Sequence, residues 1–159
     1  EGMGESISNG LEVIQENGKT RIKVNAKNSE VSYVIDGIEY AADSLKNGIP
    51  DEIATVNMIT SPTNAKKSYV VINTKQKKGQ FISYANGVLK YKYNKQEYTL
   101  NPEKLEEPAL VINNRLTRSF NIDPVQIIQI RPASELERQL FGAPSAQVII
   151  VTDKMGFFF

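Results

Sequence analysis

Apolar residues fall in short alternating or continuous runs separated by Asn-Gly, Asp-Gly, Pro and Gly signals, which predicts many short strands and few helices. Leu11–Ile14 and Thr20–Ala26 read as strands around a hairpin turn at Asn17-Gly18, where Asn-Gly tolerates the positive φ of a type I′ turn. Val31–Asp36 is β-branched and aromatic, and Asp36-Gly37 turns it into Ile38–Tyr40. Ala41–Gly48 predicts a short helical or loop segment. Pro50-Asp51-Glu52-Ile53 predicts a helical turn, with Pro early and acids behind it to match the helix dipole. Thr55–Thr60 alternates as a strand. Ser68–Thr74 holds four consecutive apolar residues, Tyr69 to Ile72, as a central strand buried on both faces does.

After the basic connector Lys75–Gln80 the same order returns. Phe81–Tyr84, Val88–Tyr93 and Gln96–Leu100 read as strands joined at Asn86-Gly87 and Asn94-Lys95, and Leu89, Tyr91 and Tyr93 share one face. Asn17-Gly18 and Asn86-Gly87 are expected to be equivalent, 69 residues apart, with the acidic connector Asn101–Glu107 widening the offset to 77 afterwards. Ala109–Asn113 repeats Val31–Asp36, with Asn113-Asn114 in place of Asp36-Gly37. Asp123-Pro124 predicts a capped helical turn, Ile127–Arg131 a strand, and Gln147–Thr152 the closing central strand. Pro132–Phe141 is the clearest helix: Ser134 and Glu137 have capping-box spacing, and Gly142 follows as a C-cap.

The pattern predicts an α+β fold of two tandem units on a mixed sheet. Unit 1 spans 11–76 and unit 2 spans 80–154, preceded by a frayed or vector-derived start over 1–10 and followed by an aromatic tail over 155–159.

Composition narrows the chemistry. With no His and no Cys, imidazole bases, Ser-His triads, thiol catalysis, thiolate zinc sites and disulfides are excluded. A net charge of +1 gives no reason to expect a nucleic acid or an anionic membrane as partner, and no apolar run reaches the roughly 20 residues of a transmembrane helix. The adjacent acid pairs Asp51-Glu52 and Glu106-Glu107 are placed as solvated residues, not as a catalytic dyad. Lys66, Lys67, Tyr69, Lys75, Lys77 and Lys78 read as a solvated strand end and linker. Phe157, Phe158 and Phe159 form an apolar terminus that either meets a partner or plugs the chain's own core.

The segments Val34–Gly37, Pro50–Ile53, Val56–Ile59 and Val70–Lys75 resemble the plug domain of TonB-dependent outer-membrane receptors of the Bacteroidetes type. Val111–Ile112, Asp123–Ile130, Phe141-Gly142 and Val148–Lys154 carry the same resemblance in the second half. The departures are specific: there is no barrel sequence, no aromatic-Gly pair in the first unit and no energy-coupling box. The resemblance implies a plug-like module used twice, periplasmic or outer-membrane-associated, as an appendage of a larger envelope or signalling protein.

The expected function is therefore a non-enzymatic, extracytoplasmic protein-interaction module without a cofactor or metal. Its contact residues would be Phe157, Phe158, Phe159, Tyr91 and Tyr93. The alternative is a small-ligand or glycan-binding domain using the tyrosines around 84–98, and a carboxylate-dependent hydrolase ranks third.

Overall fold

The structure, a computed structural model, describes residues 6–8, 11–16, 19–24, 30–45, 48–49 and 51–153, the stretches before residue 30 by their backbone course alone. Phe157, Phe158 and Phe159 lie outside the described residues. The chain divides into two compact units between Thr74 and Lys75. Strands dominate, and among the described residues the only α-helix is α1, Glu135–Leu140. No helix among them is long and apolar enough to cross a membrane.

In the first unit, β1 (Ser6–Ser8), β2 (Leu11–Glu16) and β3 (Lys19–Val24) form an antiparallel meander. A second sheet holds β4 (Glu30–Ile35), β5 (Ile38–Ala41), β6 (Ile53–Thr60) and β7 (Lys67–Thr74) in the order β5-β4-β7-β6. β7 runs parallel to β4 and antiparallel to β6, and Ser68–Thr74 is buried throughout, as a central strand requires. Tyr33, Ile49, Val70 and Ile72 form the core on one face. Burial raises the Tyr33 hydroxyl above the usual tyrosine range.

The second unit repeats the strand order. β8 (Gln80–Ala85), β9 (Val88–Tyr93) and β10 (Gln96–Leu100) form a meander. β11 (Leu110–Ile112), β12 (Arg115–Thr117), β13 (Ile127–Pro132) and β14 (Val148–Thr152) follow in the order β12-β11-β14-β13. β14 is parallel to β11 and antiparallel to β13, matching β7 in its sheet. Both sheets even break their ladder at the same place, between Ile53 and Thr55 and between Ile127 and Gln129.

Strand order corrects the expected offset. The hairpin over Asn86-Gly87 is the first of its meander, and its counterpart joins β1 to β2, where Ser8 pairs with Leu11. The offset is thus 77 residues from Asp36 to Asn113, and the expected turn at Asn17-Gly18 lies outside the described residues. The acidic connector 101–107 inserts nothing.

A second correction concerns Asp51–Ile53, which form no helix: the chain passes directly into β6, and Asp51 and Glu52 stand exposed. The β-branched run that follows sets the local conformation. At the matching place in unit 2, Pro124–Gln126 does form a single 3₁₀ turn, capped by Asp123, whose Oδ1 accepts the Val125 N–H at 3.1 Å. Single 3₁₀ turns also occupy Ala42–Leu45 and Pro102–Lys104.

The Asp36/Asn113 position is a latch as well as a turn. Asp36 and Gly37 have φ of 51° and 89°, and Asn113 and Asn114 have 50° and 69°, as type I′ turns need. Asp36 N–H donates to Ile72 O at 2.9 Å, and Asn113 N–H to Ile150 O at 2.9 Å. Asp36 Oδ1 accepts from Thr74 N at 2.9 Å while its Oδ2 accepts from Thr74 Oγ1 at 2.8 Å. Asn113 reproduces this with one polarity reversed: Oδ1 accepts from Thr152 N at 3.0 Å, and Nδ2 donates to Thr152 Oγ1 at 2.9 Å. A threonine hydroxyl serves as donor or acceptor, so Asp and Asn are interchangeable here. Asp36→Asn is expected to change stability by less than about 0.5 kcal/mol, whereas Asp36→Ala removes two hydrogen bonds and costs about 2 kcal/mol. Protection of the β7 amides in hydrogen exchange reads the difference.

In unit 2 the four-stranded sheet is covered on both faces. One face carries Leu110, Ile130, Val148 and Ile150, against which the meander packs Leu89 and Tyr91. Register alternation puts Gln129, Arg131, Ile149 and Val151 on the other face. There α1 supplies Glu137, which meets Arg131 Nη1 at 2.9 Å, and Arg131 Nε donates to Gln129 Oε1 at 3.0 Å. All three side chains are buried. The capping box of α1 forms as expected, with Ser134 and Glu137 bonded reciprocally.

Candidate functional site

Sheet edges come first, because an edge strand offers unpaired backbone groups. β13 is closed by the connector: Lys78 N–H donates to Ile128 O at 3.2 Å and Lys78 O accepts from Ile130 N at 3.0 Å. β12 is three residues long, begins with Arg115 and is followed by Arg118, the short charged form that discourages pairing. β5 differs from both. All four of its residues are exposed, Ile38 by 57% and Tyr40 by 37%. Ile38 opposes Ile35 and Tyr40 opposes buried Tyr33, so both lie on the face that carries the unit 1 core. At the corresponding positions of β12, Arg115 opposes Ile112 and Thr117 opposes Leu110. On this core-side face one unit thus has apolar rim residues where the other has Arg115 and Thr117, while on the opposite face β12 exposes Leu116 by 39% where β5 has Glu39.

The backbone at β5 is oriented for contact. A two-residue I′ turn makes Ile35 and Ile38 the closing hydrogen-bonded pair, so the N–H and C=O of Glu39 point away from β4. The Ala41 carbonyl, next in that direction, accepts from Ser44 Oγ at 2.7 Å. On the opposite face Glu39 meets Lys67 Nζ at 3.5 Å, and Lys67 stands 5.0 Å over the Tyr69 ring.

A second feature lies wholly within unit 2. Phe81, Tyr84, Phe120, Asn121, Ile122, Asp123 and Pro124 line a cleft of about 550 Å³. Simple alternation along β8 would put Phe81 and Tyr84 on opposite faces. A bulge between Phe81 and Ser83 brings them to one face, opposite inward-pointing Tyr91 and Leu89. Phe120, from the loop between β12 and β13, stacks on Tyr84 at 4.7 Å and on Phe81 at 5.7 Å between ring centroids. Phe120 and the bulge are invisible to a strand-by-strand reading of the sequence.

Of the expected contact residues Tyr91 and Tyr93, the first is a core residue. Tyr91 is 1% exposed, stacked on Tyr98 at 4.9 Å, and Tyr93 is a half-buried side chain packed against the same core. Burial, reinforced by Tyr98, pushes the Tyr91 hydroxyl far above the usual tyrosine range, so it stays protonated. The alternating apolar face of β9 fills the core, because the meander must cover β13 and β14.

The other candidates are dispersed. Lys77 Nζ donates to Ile127 O at 3.5 Å, Lys78 acts through its backbone, and Tyr69 is buried. Glu106 and Glu107 are exposed, and the Glu106 carbonyl accepts from Arg118 Nη2 at 2.8 Å. Among the described residues no group of three acids is placed to hold a metal ion. No family model matches the chain, and no curated protein or solved structure is significantly similar to it.

Proposed function

We propose that this chain is a non-enzymatic protein-interaction module that engages an extended segment of a partner protein along β5. The observation that carries the proposal is the contrast between matching edges: Ile38 and Tyr40 in the first unit against Arg115 and Thr117 in the second. Exposing Ile38 and Tyr40 gains the fold nothing, whereas a partner strand would bury both and pair with Glu39. Strand addition supplies affinity through the backbone and specificity through alternate side chains. The partner segment then carries apolar residues two apart to meet Ile38 and Tyr40.

The shared strand order, ladder break and latch support a reading as two tandem units, and the plug-like character rests on the sequence resemblance of Val34–Gly37 and Val111–Ile112. That resemblance implies a module outside the cytoplasm, attached to a larger envelope or signalling protein.

The test is selection of displayed random peptides against the chain and against the double substitution Ile38→Arg/Tyr40→Thr, which writes the two core-side residues of the unit 2 edge onto β5. The wild-type chain should select segments free of internal proline with apolar residues two apart. The double variant should lose them by at least about tenfold, and methylating alternate peptide amides should do the same. Peptides that bind both chains equally would sink the proposal.

A further inference from the structure

The cleft in unit 2 supports a separate binding role. Its volume of about 550 Å³ falls within the range of small-molecule sites, roughly 300–1,000 Å³. Its lining includes three aromatic residues, with Phe120 stacked on Phe81 (13°) and on Tyr84 (30°). Its polar groups are the Tyr84 hydroxyl, the Asn121 amide and the Asp123 carboxylate, with only Oδ1 of the last engaged in capping Val125.

Each feature narrows the ligand. No cation lines the cleft and a carboxylate does, which disfavours anions. The aromatic rings stack on one another and do not form the crossed walls of a cage, which disfavours a quaternary ammonium group. Seven residues around a single concavity leave no long track for a polyproline segment. What remains is a neutral ring with one apolar face and a hydroxylated edge. The loop carrying Phe120 also holds Val125 87% exposed, the most exposed large apolar side chain among the described residues, at a position where folding gains nothing from it.

We propose that this cleft binds one or two rings of a neutral carbohydrate, with C–H faces against the aromatic residues and hydroxyls on Asn121, Asp123 and the Tyr84 hydroxyl. The proposal concerns unit 2 alone and does not depend on the β5 edge.

The test is calorimetry with cellobiose, maltose, chitobiose, digalacturonate and a proline-rich decapeptide. At least one neutral disaccharide should bind with a Kd of about 1 mM or tighter, a range ordinary for one or two rings on a shallow site. Tyr84→Phe, Asn121→Ala and Asp123→Asn, the last of which preserves the cap, should each weaken that binding by about three- to tenfold. Their melting temperatures should stay unchanged, so a binding loss is not a folding loss. Three results would overturn the proposal: no neutral disaccharide bound at about 10 mM, binding indifferent to all three substitutions, or preference for digalacturonate or the peptide.

Discussion

Arg131→Ala is expected to destabilise the second unit by about 3–5 kcal/mol. Arg131 bridges Gln129 at 3.0 Å on its own strand and Glu137 at 2.9 Å on α1, and all three side chains are out of solvent. Removing the guanidinium leaves the Glu137 carboxylate buried, on the sheet face that carries Ile149 and Val151, without its cation. The large cost comes from the uncompensated carboxylate and not from the pair's net worth, a distinction that can be measured. Arg131→Met combined with Glu137→Leu replaces charge by volume and is expected to recover most of the loss. The remaining deficit should be about 1 kcal/mol, because Glu137 Oε1 also accepts the Ser134 N–H at 3.1 Å in the capping box. Hydrogen exchange at the β14 amides reads the effect, with the β7 amides of the first unit as internal control. If Arg131→Ala changes β14 protection by less than about 1 kcal/mol, the buried network is not what fastens α1 to the sheet.

How much of this was legible in the sequence depends on which forces are local. Turns were legible, because Asn-Gly, Asp-Gly and Asn-Asn advertise positive φ, and Asp36, Asn86, Asn94 and Asn113 all adopt it. Central strands were legible from Tyr69–Ile72 and Ile149–Val151, since only burial on both faces calls for continuous apolar runs. The α1 cap was legible from the spacing of Ser134 and Glu137. Long-range pairings were hidden. Glu137 reads as a capping acid and Arg131 as a strand-end charge, and nothing local says that they meet. Tyr91 reads equally as a platform or as core, and only the packing of the meander on β13 and β14 decides for core. The aromatic cleft was hidden twice, by a bulge that breaks alternation in β8 and by a loop that delivers Phe120 from far along the chain.

The two units also differ in a patterned way. Units that share a strand order need share only latch, ladder and core. Asp36 and Asn113, the paired ladder breaks and the central strands obey that rule. Ile38/Arg115 and Tyr40/Thr117 do not, and neither contributes to the shared architecture. Differences free of structural duty are where separate roles can settle.

Gly79→Ala should destabilise the second unit by about 2–4 kcal/mol, through the backbone alone. Gly79 sits at φ +76°, and a Cβ placed there would stand 1.9 Å from the Ile130 carbonyl oxygen. Backbone cannot yield as a side-chain tip does, so the connector must leave β13. The two hydrogen bonds between Lys78 and the Ile128 and Ile130 backbones go with it, at about 1 kcal/mol each. The left-handed conformation adds about 1 kcal/mol for any residue with a Cβ. Gly142→Ala isolates that last contribution: Gly142 has φ +61° and nothing within 4 Å of the added carbon, so it should lose only about 1 kcal/mol. Denaturant melts of the two variants, side by side, separate the clash from the dihedral. A second consequence bears on interaction, because a released connector uncovers the β13 edge. Gly79→Ala should therefore gain concentration-dependent self-association that Gly142→Ala lacks, visible in sedimentation velocity. Equal losses in the two variants, with both remaining monomeric, would mean that the connector does not seal that edge.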